Sequence, residues 1–128
     1  MATQLMTAAE IHDFGVEAVF KQLQKDGYEI LGCNSDIGKN PQIVAKKDNL
    51  LKFILVRTAC YPNKGSLESK AEALQAIIHA ESNNATCYFA SVGIANAEGK
   101  SDVEMAVAVK GAGFFIAYEG LVILARPQ

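Results

Sequence analysis

The chain has 128 residues, one core's worth on the usual scale of roughly 100 to 200 residues per domain. Its 50% hydrophobic and 20% charged residues, with only 3 prolines and a mean hydropathy of +0.11, carry enough apolar side chain to offset the ordering entropy, which excludes intrinsic disorder. Twelve basic residues against fourteen acidic give a net charge of −2, so the strongly basic balance of a general nucleic-acid or acidic-membrane binder is excluded too.

A single domain over 1–128 is expected, with residues 1–6 as a flexible N-terminus. The opening Met-Ala-Thr-Gln-Leu-Met-Thr has no basic segment followed by an apolar run, and no window approaches 18 uninterrupted apolar residues. The expectation is therefore a soluble, cytoplasmic protein with no membrane partner. Cys33, Cys60 and Cys87 form no Cys-x-x-Cys pair and are expected to be buried or half-buried inert thiols.

Thr7 followed by Glu10 is a capping box, and it predicts a helix start. Ile11, Phe14, Gly15, Ala18, Val19 and Leu23 recur at spacings of three and four, the stripe of an amphipathic helix that Gly27 terminates. Strand-like segments follow at Tyr28–Cys33, Gln42–Lys46 and Leu50–Thr58. Lys47, Asp48 and Asn49 supply hairpin-turn chemistry between the last two. Phe53-Ile54-Leu55-Val56 is apolar on both alternating faces, as expected of a mid-sheet strand covered on two sides.

Ser66 is placed to cap a second helix carrying Leu67, Ala71, Leu74, Ile77 and Ile78. The period then switches to two over Thr86–Ile94, Val103–Val109, Phe114–Tyr118 and Leu121–Ala125, which predicts three or four C-terminal strands. The expected fold class is α/β (α+β): helix, three-strand meander, helix, then further strands in a mixed sheet.

This order, with Gly15-Val16-Glu17-Ala18-Val19-Phe20-Lys21-Gln22-Leu23-Gln24-Lys25-Asp26-Gly27-Tyr28-Glu29-Ile30-Leu31 as helix and first strand, resembles the restriction-endonuclease-like (PD-(D/E)xK) superfamily over about Gly15 to Ile78. In such nucleases the first hairpin strand carries an Asp and the second Glu-x-Lys. The carboxylates hold a divalent metal and the Lys helps position or activate water. Residue by residue, the Asp position falls on Gln42, in Gln42-Ile43-Val44-Ala45, and the Glu and Lys positions fall on Leu55 and Arg57. Neither glutamine nor leucine is a carboxylate, and a guanidinium stays protonated and is a poor base. The resemblance thus implies the fold with a degenerate motif, no catalytic residue, no metal and no cofactor.

Other constellations point less far. Glu17 matches a helix-one glutamate that joins the metal site in some members, and Glu17 with Asp36 is the alternative metal pair, a nuclease with relocated ligands. Lys39, Lys46, Lys47, Lys52 and Arg57 outweigh Asp36 and Asp48 between residues 34 and 58, so Lys46, Lys47 and Arg57 are the phosphate-contact candidates should nucleic acid be a partner. His12 and His79 are expected to be exposed helix residues. The apolar C-terminal strands need a cover, and homodimerisation through them is expected. The function expected is non-catalytic, as a binding domain or structural dimer. A secretion-chaperone-like protein-binding module is the rival from outside the nuclease family.

Overall fold

The computed structural model describes residues 4–124. Thr7 caps helix α1 (Ala8–Lys25): its side chain accepts from the Glu10 amide, and Glu10 accepts from the Thr7 amide, which closes the expected capping box. Val16, Val19 and Leu23 form the buried stripe. After Gly27, whose positive φ of 90° takes the chain out of the helix, come β1 (Glu29–Cys33), β2 (Ile43–Lys47) and β3 (Leu50–Cys60). Asp48 and Asn49, with φ of 54° and 63°, form the two-residue turn between β2 and β3, where left-handed backbone matches the twist of a tight hairpin.

Helix α2 (Lys70–Ser82) crosses over to β4 (Thr86–Asn96), which runs parallel to β3. A short helix α3 (Asp102–Met105) precedes β5 (Phe114–Ala117) and β6 (Val122–Ile123), both antiparallel to β4. The sheet order is β1-β2-β3-β4-β5, with β6 also on β4, so β3 lies mid-sheet as its two apolar faces require. Among the described residues the fold is mixed α/β, with three helices and a six-stranded mixed sheet.

Two apolar clusters sandwich that sheet. Val16, Val19 and Leu23 of α1 pack on Ile43, Ala45, Ile54, Val56, Ala90 and Val92, whereas Ala76, Ile77 and Ala80 of α2 pack on Phe53, Leu55 and Cys87. Gly15 lets α1 approach β3 closely, because a Cβ there would collide with the Thr58 side chain.

Several sequence expectations need correction. Val103–Val109 is not a strand: Ser101 accepts from the Glu104 amide and starts α3, so a local cap overrides the alternation. For the same reason α2 begins at Ser69, which accepts from the Glu72 amide, and not at Ser66. Of Leu121–Ala125 only Val122–Ile123 pairs with β4, and Ala125 lies outside the described residues. Of the expected flexible terminus, residues 1–3 also lie outside. Gln4 to Met6 are tied down, since the Met6 amide donates to the Ala108 carbonyl and Lys110 donates to that of Gln4. Cys33 is exposed, while Cys60 is half-buried and Cys87 buried. His12 is buried, one helical turn before Val16 on the inward stripe.

Candidate functional site

The three positions that the nuclease resemblance singles out, Gln42, Leu55 and Arg57, all lie on the α2 face of the sheet or at its border. Leu55 is fully buried in the α2 cluster, an apolar residue in an apolar setting. Gln42, just before β2, and Arg57, near the end of β3, are 1% and 3% exposed and meet directly: Gln42 Oε1 accepts from Arg57 Nη1 at 3.2 Å.

Every polar valence of this pair is used. Gln42 Oε1 also accepts from the Val56 amide at 2.8 Å, and Nε2 donates to the Asp36 carbonyl and to Asn40 Oδ1. Arg57 Nε donates to Glu68 at 3.2 Å, Nη1 to the Val56 carbonyl at 2.9 Å, and Nη2 to Glu72, Asn40 Oδ1 and the Ile37 carbonyl. Asn40 closes the ring by donating to Glu72 at 3.0 Å. All five guanidinium N–H donors thus have acceptors, the condition under which a buried arginine is tolerated. The Glu68 carboxyl is held below its ordinary range, first by a hydrogen bond with Glu72, and Arg57 acts in the same direction.

A family model for a domain of unknown function, DUF8840, matches residues 9–124. The chain belongs to the DUF8840 family. No curated protein matches it. The DUF8840 match spans α1 through β6 and so takes in the whole polar cluster, but the family description carries no activity.

The other candidates on this DUF8840 chain do not converge with the pair. Glu17 is exposed and pairs with Lys21 one turn on, at 3.0 Å. Asp36 belongs to the loop before β2, where its carboxylate accepts from the Gly38 amide at 2.9 Å. Among the described residues no group of three or more His, Cys, Asp or Glu side chains could hold a metal ion. Of the phosphate-contact candidates, Lys46 is exposed on β2. Lys47 donates to the Asp26 carbonyl at 2.7 Å and lies over the Tyr28 ring, and Arg57 has no donor left to give.

Sequence reasoning missed the carboxylates of this cluster, Glu68 and Glu72, which come from the loop and helix after β3, and it misplaced His12. The spacing of His12, Val16, Val19 and Leu23, at four, three and four residues, is the signal that puts the histidine on the inward stripe. Among the described residues no helix is long and apolar enough to cross a membrane.

Proposed function

We propose that this chain is a restriction-endonuclease-like domain whose catalytic position has become a structural polar cluster, and that it acts without cutting, as a binding domain or self-associating scaffold. The carrying observation is the Gln42–Arg57 hydrogen bond: where the nuclease motif places a carboxylate and an amine to hold metal and water, an amide and a guanidinium satisfy one another. The element order supports the fold assignment, with a helix, an antiparallel three-strand meander, and a crossover helix leading to a strand parallel to β3.

The test is a cleavage assay on single- and double-stranded DNA and RNA with Mg²⁺ or Mn²⁺. No cleavage is the expected result, and metal-dependent cleavage that disappears in Asp36→Asn overturns the reading in favour of relocated ligands. Fluorescence anisotropy at about 50 and 200 mM salt, with Lys46 and Lys47 replaced by alanine, decides whether nucleic acid is the bound partner, since phosphate contacts weaken steeply with salt.

A further inference from the structure

A cavity of about 390 Å³ opens at the carboxyl end of the parallel pair β3–β4, between the loop that leaves β3, the last residues of β4, α3 and β5. Ligands of open α/β sheets lie outside that end of the strands, and the volume is more than twice the roughly 150 Å³ that takes up benzene.

Its floor follows from strand register. Cys87 faces α2, and side chains alternate along a strand, so Gly93 and Ala95 of β4 face the same way. Opposite them on β5 stand Ala117 and Phe115. No described residue of α2 lines the cavity. Gly93, Ala95 and Ala117 therefore form a flat floor of small residues with no helix above it.

The walls are Tyr61, Pro62, Met105 and Phe115, and both aromatic rings and a methionine sulfur favour a ring as neighbour. These walls are pinned without a ligand. The Tyr61 amide donates to the Ile94 carbonyl at 2.7 Å, the Gly65 amide to that of Val92 at 3.0 Å, and the Tyr61 hydroxyl to Asp102 of α3 at 3.1 Å. A preformed cavity loses little ordering entropy when it binds.

Charge at the rim narrows the ligand further. Lys64 is the one charged residue among the described ones that line the cavity. Its stem lies against the floor, with Cγ 3.2 Å from where a Cβ on Gly93 would stand. Glu119 holds its ammonium at 3.1 Å, but the Glu119 side chain is 88% exposed, and a pair so open to water contributes little against a competing anion.

We infer that this cavity binds a small aromatic carboxylate, its ring on the floor between Tyr61 and Phe115 and its carboxylate at the Lys64 ammonium. The inference gives a ligand to the binding role proposed above. It uses none of Gln42, Leu55 and Arg57, so metal-dependent cleavage would overturn the non-catalytic reading and leave this site standing.

The test is a titration of the full chain with 1-naphthoate, with its uncharged analogue 1-naphthamide, and with octanoate, which carries the charge without a ring. Two-dimensional NMR of the methyl groups maps each site. Saturable shifts at Ala95, Met105 and Ala117 are expected, with naphthoate several-fold tighter than either of the other two. Lys64→Ala should weaken naphthoate several-fold and leave naphthamide unchanged. Ala117→Leu, at an exposed position, should fill the cavity and abolish both, with an unchanged thermal midpoint showing that the fold is intact. Shifts that map elsewhere, no saturation at millimolar naphthoate, or naphthamide or octanoate binding as tightly as naphthoate each overturn the proposal.

Discussion

Gln42 Oε1 bridges two donors of β3, the Val56 amide at 2.8 Å and Arg57 Nη1 at 3.2 Å, so one side-chain oxygen fixes both a buried backbone group and a buried charge. Replacing it with leucine keeps volume but strands both donors. Gln42→Leu should therefore destabilise the domain by about 2–5 kcal/mol, measured by urea denaturation, because unpaired buried donors and charges lose solvation without compensation. Arg57→Met should cost a similar amount. The double variant should cost less than the sum, with a coupling of about 0.5–3 kcal/mol. Strict additivity would mean that the two side chains do not act as a unit.

Much of the fold was legible because local chemistry and pattern agreed. The Thr7/Glu10 box, the Asp48-Asn49 turn and the doubly apolar run Phe53–Val56 each placed an element whose packing then followed. Where two signals competed, the pattern misled. Val103–Val109 alternates like a strand, but Ser101-x-x-Glu104 is a helix start, and the cap won; Ser69-x-x-Glu72 beat Ser66 in the same way. Gln42 and Arg57 could be singled out from the sequence through the resemblance, but their partners could not. Glu68 and Glu72 reach Arg57 only after the chain has left β3, turned through the loop and entered α2, a placement that no local spacing encodes.

The contact between Gly15 and Thr58 sets the distance between α1 and β3. A methyl group at position 15 improves helix propensity by about 1 kcal/mol, but it drives into the Thr58 side chain in an interior with no slack. Gly15→Ala should on balance lower the thermal midpoint. Thr58→Ala removes two of the three colliding atoms, so Gly15→Ala/Thr58→Ala should recover part of the loss. A stabilised single variant would show that α1 can slide away from the sheet freely.

Burial, reinforced by the Arg57 charge, lowers the His12 pKa from its ordinary 6.5. The unfolded chain then takes up a proton near 6.5 while the folded chain resists it, so acidification favours unfolding. This contribution to stability is present above pH 6.5, is lost as the pH falls from there to the folded pKa, and does not change below that. Glu68, whose pKa is lowered from 4.5, loses its contribution in a separate and more acidic window. Urea midpoints taken across pH 7.5 to 5 should fall for the wild type and stay flatter for His12→Gln, whatever the variant's baseline stability. Parallel profiles would place the titrating group elsewhere.

The two edges of the sheet are defended unequally. On β1 the pairing slips between Ile30 and Gly32, and Glu29 sits on the strand, both devices that discourage a further strand. On β5 the four residues Phe114–Ala117 carry no charge, and Phe115 and Ile116 are 62% and 48% exposed. Pairing of β5 with its copy in a second chain would cover these side chains and supply hydrogen-bond partners along the edge. Light scattering at rising concentration should then approach twice the 13.7 kDa chain mass, and Phe115→Asp should hold the mass at that of one chain without lowering the thermal midpoint. A charge on β5 opposes pairing but leaves the core between α1 and the sheet untouched, so the two readouts separate a lost interface from a lost fold. A wild-type mass of one chain at all concentrations would sink the dimer and leave the exposed β5 and β6 side chains for a different protein to cover.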